Sequence, residues 1–296
     1  MTRRFLVLSL GVFCASTSVV MTKASQLPPE LLAASRLFVA FIALLPFFIR
    51  DIKRYPEFTC HKILSFSALP ALLLAFHFIT WTIGARLTTS ANATLIVGLI
   101  PVAMPFFAYI VLRESLTIKE SIGTALALLG VFVLAYSDFR LSADLLTGDL
   151  VCLISMLFLA WYLILARKNK SIPSIWIYLV PLYLVAGVIC LVAGLIRTGL
   201  PESFPTIELL WILLLGLIPT VFGHSLLNMA MQWFRSQFVA IVNQLEFVYA
   251  GLFGYFIFRE LPHSSFYLAS AIMMAGVFWT VFSDTYPIAR NRKPPN

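Results

Sequence analysis

Four side chains able to carry or exchange charge fall inside otherwise apolar stretches: Arg36, His77, His224 and Glu246. An ionisable group in a lipid-crossing helix costs at least ~2.5–3.5 kcal/mol on insertion scales, so each is a candidate for function by default. Glu246 is the carboxylate nearest the middle of its stretch, where it can take up and release a proton or hold a cation. Asn243 stands three residues before it and shares its helix face, whereas Gln244 is turned about 200° away. Arg36 lies six residues into its stretch, near one end. It is either a contact for an anionic group or an anchor whose long stem snorkels to the interface. His77 is followed one turn later by Trp81 on the same face. Thr220, His224, Asn228 and Gln232 recur every four residues, a stripe that drifts only about 40° per step and so must face protein or water. Asn92, Trp161 and Tyr162 complete a candidate substrate-binding set with His77, Trp81, Thr220, His224, Asn228 and Asn243. For each, packing or interhelical hydrogen bonding is the alternative, at ~0.6–2 kcal/mol per bond.

The elements that carry these residues follow from composition. Of 296 residues 60% are hydrophobic and 11% charged, with a mean hydropathy of +0.94. An ordinary soluble domain is roughly 45–50% apolar and about 25% charged. A soluble enzyme, a nucleic-acid-binding domain and a disordered chain are excluded, which leaves an all-α polytopic membrane protein. Apolar runs long enough to cross ~30 Å of hydrocarbon number ten, at about 5–22, 31–49, 63–83, 89–112, 120–137, 149–166, 175–196, 208–231, 237–258 and 265–283. Arg3 and Arg4 before Phe5–Phe13 resemble a signal segment, but Phe13 before Cys14 fits cleavage badly and the run continues to Met21, so an uncleaved span is expected. Cys14, Cys60, Cys152 and Cys190 are scattered, and neither a disulfide framework nor a metal site is expected.

The net charge of +8 reads as topology. On the side that holds the N-terminus fall 15 Lys and Arg residues, among them Arg50, Lys53, Arg54, Arg113, Arg167 and Arg235; the other side has 5, Lys23, Arg86, Arg140, Arg197 and Arg259. This bias predicts that both termini are cytoplasmic.

Displaced by 146, residues 95–135 fall on 241–281 without a gap and with 10 of 41 positions identical, including Tyr109/Tyr255, Arg113-Glu114/Arg259-Glu260 and Gly130-Val131-Phe132/Gly276-Val277-Phe278. A displacement of 145 lays Phe13, Ala15, Lys23 and Pro28 on Phe158, Ala160, Lys168 and Pro173. The reading is two halves of five spans, 1–140 and 141–286, followed by a basic cytoplasmic tail, 287–296. Five is odd, so the second half is expected to cross the membrane the opposite way up. Inverted repeats of this kind are a feature of carriers with a central site.

The stretch Ala85-Arg86-Leu87-Thr88-Thr89-Ser90-Ala91-Asn92-Ala93, then Ile100-Pro101-Val102, Pro105, Leu112-Arg113-Glu114-Ser115-Leu116-Thr117 and Leu129-Gly130-Val131, resembles the drug/metabolite transporter superfamily in its ten-helix EamA-type branch. Arg36-Leu37, Gly223-His224-Ser225, Glu246 and Arg259-Glu260 also match. Where that family often has Glu-Pro-Val, this chain has Glu246-Phe247-Val248, which removes the residue that would enforce a kink in span nine. The resemblance implies a proton- or gradient-coupled carrier of small metabolites, such as amino acid-like, nucleotide-derived or drug-like solutes. In it, spans one to four and six to nine surround a cavity that spans five and ten buttress.

An intramembrane enzyme is the rival class, and a receptor or scaffold the third. No H-E-x-x-H, Gly-x-Ser-x-Gly or P-loop pattern is present. The expectation is therefore no catalytic residues and no cofactor. The expected partners are a small-molecule substrate, the bilayer and protons, not nucleic acid, with homodimerisation left open. The expected location is a bacterial inner (plasma) membrane. Glu246 is read as the proton-coupling or cation-binding residue, and Arg113-Glu114 and Arg259-Glu260 as helix-end pairs at opposite faces.

Overall fold

A computed structural model describes residues 2–138, 146–201, 203–259 and 264–282. Ten helical rods account for most of them: α1 (Thr2–Ala24), α2 (Pro29–Arg54), α3 (Cys60–Leu87), α4 (Ser90–Leu112), α5 (Ile118–Asp138), α6 (Leu146–Lys168), α7 (Ile175–Arg197), α8 (Thr206–Trp233), α9 (Ser236–Phe258) and α10 (Ser264–Phe282). No strand occurs among the described residues. Nine rods are long and apolar enough to cross a membrane; α5, a span by the sequence reading, lies along α10. Rod ends depart from the sequence reading by a few residues, because caps and not hydropathy set them. The side chains of Thr59, Thr89 and Ser174 accept from the backbone N–H of Lys62, Asn92 and Trp176 and start α3, α4 and α7. Pro29 opens α2, where its missing N–H costs nothing. The pair Arg259-Glu260 and the basic tail extend outside the described residues, as do Asp144 and Asp284.

The rods pack in a pattern that repeats when each number is raised by five. Contacts α3–α6, α3–α7 and α4–α6 recur as α8–α1, α8–α2 and α9–α1, while α2–α7, α4–α9 and α5–α10 map onto themselves. Residue detail agrees at α5–α10. A Cβ placed on Gly130 would lie 2.9 Å from the carbonyl oxygen of Ala269, and one placed on Gly276 would lie 2.9 Å from that of Gly123. Only glycine lets the backbones come this close. Low numbers on α5 meet high numbers on α10, so the two rods are antiparallel. Residues 130 and 276 are 146 apart, as are 123 and 269, so the two contacts exchange under the sequence displacement.

Four rods are interrupted within their length, and three of the interruptions have a chemical cause. In α8, Pro219 has no N–H for the carbonyl of Leu215; the Thr220 hydroxyl donates to it instead, at 2.7 Å, inside a π-helical segment Gly216–His224. In α1, the Thr17 hydroxyl donates to the Cys14 carbonyl at 2.7 Å, and a new helical segment starts at Ser18. In α4, Gly98 and Leu99 separate Ser90–Val97 from Ile100–Leu112, and Pro101 leaves the Val97 carbonyl without its ordinary donor. The α9 interruption falls at Gln244, between Ser236–Asn243 and Leu245–Phe253. It is 146 residues after Gly98, and the rod breaks here although the proline that would enforce a kink is absent. Two tight turns take its place: Gln244 N–H donates to Ile241 at 3.2 Å and Phe247 N–H to Gln244 at 3.1 Å. Both α4 and α9 end on a left-handed arginine, Arg113 (φ 56) and Arg259 (φ 57), again 146 apart.

Candidate functional site

The interruptions converge on one cavity. Ser18 of α1, His77, Phe78 and Trp81 of α3, Val97 of α4, His224 of α8 and Asn243 and Glu246 of α9 line it, closed off by Ala15, Leu159 and Leu227. Its volume is about 20 Å³, room for about one water. Glu246 is the eleventh residue of the 23 in α9, near the middle of the rod.

Glu246 accepts a hydrogen bond from the Asn243 side-chain amide at 3.2 Å. The side-chain amide oxygen of Asn243 is buried without a partner. Across the cavity, His77 and His224 have ring centroids 5.7 Å apart. The Ser155 hydroxyl donates to the His77 carbonyl at 3.0 Å, so His77 Nδ1–H is the donor to the Ser155 carbonyl at 3.1 Å. His77 is thus a satisfied residue on one ring nitrogen and a cavity residue on its other edge. His224 Nδ1 has no partner, and its ring lies edge-on to Phe78 at 4.8 Å.

Arg36 is 1% exposed and does not reach an interface, which removes the anchor reading. Its Nε donates to Thr220 at 2.9 Å and its Nη1 to Ser18 at 3.2 Å, and the guanidinium lies 4.1 Å from the Phe78 ring centroid. Nη2 has no partner. Trp81 is also buried, not interfacial, and its indole N–H donates to the same Ser18 at 3.2 Å.

The other sequence candidates are placed around this core and not on it. Thr220 sits behind the cavity, between Arg36 and Leu215. The Asn228 amide donates to the Tyr162 hydroxyl at 2.5 Å and to the His224 carbonyl at 2.6 Å, a helix contact that ties α8 to α6. The stripe on α8 therefore divides: His224 reaches the cavity, while Asn228 and Tyr162 support it from behind. Trp161 stacks on Phe107 at 5.7 Å, outside the cavity. Asn92 is buried near the start of α4, where its backbone N–H is capped by Thr89. Sequence reasoning missed Ser18, Phe78 and Val97. Serine in an apolar helix ordinarily bonds a carbonyl one turn back, so the Ser16-Thr17-Ser18 run gave a polar signal but no direction.

Polar ties hold both ends of the bundle. At the end where α1 begins, Glu114 accepts from Arg167 at 2.9 Å and from Ser236 at 2.8 Å, while Arg235 pairs with Glu120 at 2.7 Å. Burial raises the Glu114 pKa, but the charge of Arg167, bonds from Ser236 and Arg167 and the charge of Arg235 outweigh it, so its carboxyl is held below the usual range. The sequence reading of a helix-end pair with Arg113 is replaced here by bonds to α6 and to the α8–α9 junction. At the other end, Arg86 donates to the carbonyls of Thr22, Ser25 and Leu27, and Glu30 pairs with Arg197 at 2.6 Å.

Comparison with known proteins agrees with the fold and the family. A transporter of Archaeoglobus fulgidus described as uncharacterized is 27% identical over 246 residues, 82% of this chain and 83% of its own. Human solute carrier family 35 member G1 is 29% identical over 186 residues, 58% of this chain and half of its own length. A solved crystal structure superposes with a TM-score of 0.74 at 17% identity, covering 98% of this chain and 99% of that one, a likeness of fold. The model of the EamA-like transporter family matches twice, over residues 3–136 and 146–282. With both matches together spanning nearly the whole chain, this membrane protein belongs to the EamA-like transporter family.

Proposed function

We propose that the chain carries a small metabolite through the bilayer by alternating access, coupled to a proton or another gradient. The two halves, 1–140 and 141–286, act as inverted repeats, and Glu246 is the residue that takes up the coupling proton or holds a cationic group of the substrate. One observation carries the reading: α4 and α9 are interrupted at positions 146 apart, and both interruptions border the same small cavity. Paired broken helices at equivalent places in two halves are where carriers hold substrate and coupling ions. The antiparallel α5–α10 contact supports the inversion, because equivalent rods that run in opposite directions are related by an axis in the membrane plane. The family model, matching each half once, supports the division. The Lys and Arg bias supports cytoplasmic termini, and a bacterial plasma membrane is the proposed location.

The test is flux in proteoliposomes, using the purified chain and a broad panel of labelled amino acids, nucleotide derivatives and organic cations. The expected result is saturable uptake of a narrow group of solutes, accelerated by the same solute on the far side. No flux across the panel, with chemical conversion of any member instead, overturns the reading in favour of an intramembrane enzyme.

A further inference from the structure

Among the described residues Arg36 is the largest fully buried side chain, and no carboxylate lies within 4.0 Å of it. Its direct contacts are neutral, the hydroxyls of Thr220 and Ser18 and the face of Phe78, and the Glu246 carboxyl acts on it only through space, without an ion pair. A guanidinium offers five donors in a fixed fork. A buried charge is ordinarily paired, and one that is not leaves an orphaned donor to be explained. Here the orphan is identified: Nη2 is buried with no acceptor.

The neighbours of Arg36 are arranged as donors too. The Ser18 oxygen accepts twice, from Arg36 Nη1 and from Trp81 Nε1, both at 3.2 Å. With both bonds taken up by its lone pairs, its own O–H is left to donate, and Ser18 lines the cavity. Phe78 and Trp81, against which the guanidinium and Ser18 rest, line the same cavity, as does His224. Glu246 and Asn243, whose side-chain amide oxygen has no partner, line it too. The cavity thus brings a hydroxyl donor backed by a full positive charge together with a carboxyl group and an amide oxygen.

We infer that the substrate carries a carboxylate, and that this group seats on Ser18 Oγ–H and Arg36 Nη2 as the direct ion-pair partner that the buried guanidinium lacks. The inference rests on the central cavity being the substrate site and adds the chemical class of one end of the substrate. Arg36 lies directly behind Ser18 and Phe78 of the lining, and a planar carboxylate has two oxygens, one for the hydroxyl and one for the N–H donor, so it meets Arg36 without displacing the bond to Thr220. Solutes whose acid is replaced by a neutral amide keep the shape and lose the charge, so they are discriminated against by the unpaired guanidinium.

The test uses the purified full chain in detergent, with formate and acetate as fragments common to all carboxylates. Their effect on Tm is compared with formamide and acetamide, and with chloride at matched ionic strength. The expected result is a dose-dependent rise in Tm with the two acids and none with the amides or chloride. Arg36→Met is expected to lose that rise while its own Tm stays equal to wild type or climbs, because an uncompensated charge has been removed. Ser18→Ala, a small deletion that leaves the charge in place, is expected to weaken acetate binding at least tenfold. The inference is overturned if neither acid stabilises the wild type, if the amides match them, or if Ser18→Ala and Arg36→Met respond as wild type does. A purely structural Arg36 gives a different pattern: Tm falls in Arg36→Met, recovers in Arg36→Lys, and acids have no effect. Binding is read without transport, so acetate seating without flux sinks the carrier reading alone, and flux without carboxylate preference sinks this inference alone.

Discussion

The interruptions of α4 and α9 share a backbone and differ in chemistry. Each falls at the same place in its half, with Gly98 and Gln244 separated by 146 residues, and each leads to a left-handed arginine, Arg113 or Arg259. In α4 the positions matching Asn243 and Glu246 are Val97 and Ile100, both apolar. In α9 the same two places carry an amide and a carboxylate bonded to each other. The break in α4 is enforced by Pro101, whereas that in α9 is held by turn hydrogen bonds and has no proline at the matching residue, Phe247. The feature common to the two rods is therefore the interruption beside the cavity, and the polar chemistry belongs to α9. A carrier with inverted halves needs the two to exchange shapes, not side chains.

That comparison can be broken most severely at α5–α10, where the equivalent rods touch. A Cβ on Gly276 meets the Gly123 carbonyl at 2.9 Å and Leu126 at 3.0 Å, and the backbone has nowhere to go. Gly276→Leu is expected to cost about 3 kcal/mol or more by overpacking, read as loss of monodisperse protein or a large drop in Tm. An unchanged Tm would show that the rods do not meet as described. Next in size, Asn243→Val gives α9 the residue that α4 has at Val97. It leaves Glu246 without its recorded donor, and is expected to reduce transport at least tenfold with Tm changed little. A control in α4, Val97→Ala at the place that matches Asn243, is expected to leave transport near wild type, so equal losses in the two variants would abolish the asymmetry.

Glu114 gives a moderate effect at the end of α4. Glu114→Gln removes the charge that pairs with Arg167 and is expected to cost about 1–3 kcal/mol, with substrate affinity unchanged. Because the Glu114 carboxyl is held below its usual range, its stabilisation is full above the unfolded pKa and is lost as pH falls through the folded one. Wild-type Tm should therefore fall on acidification below about pH 4, and the variant should show a shallower fall. A steeper fall in the variant would contradict the sign. Smallest is Arg113→Gly. A left-handed residue with a Cβ costs roughly 1 kcal/mol against glycine, offset in part by the Arg113 guanidinium 5.5 Å from the Tyr109 ring. The expected Tm rises by a degree or two, and a clear fall would assign Arg113 a role beyond ending the helix.

Much of the fold was legible because hydrocarbon imposes a length and a composition on every rod. Ten runs were readable from apolar stretches, and the displacement of 146 locates Gly130/Gly276 and Arg113/Arg259, which recur as matching contacts and caps. The site was legible only in part. Glu246, Asn243, His224, His77 and Trp81 line the cavity, since ionisable or amide groups in apolar helices have few reasons to be there. Asn228 looked identical in the every-four stripe with His224, but it lies one turn further along α8, where its amide closes on Tyr162 and on the His224 carbonyl instead. Trp161 and Asn92 were singled out by residue type, which does not reveal direction. The break in α9 was not settled by the residues for a simpler reason. Proline is one cause of a helix interruption, and consecutive tight turns at Gln244 are another that leaves no residue signature.

The most direct measurement of the central claim is Glu246→Gln in proteoliposomes, with the labelled solute that the flux panel identifies. Two modes are compared: accumulation driven by an imposed pH gradient, and counterflow exchange at equal pH. The account predicts that the variant loses accumulation against a gradient and retains counterflow, because the amide keeps the hydrogen bonding of the site but cannot release a proton. A variant that still concentrates the solute with wild-type pH dependence would contradict it and leave the polar face of α9 without a coupling role.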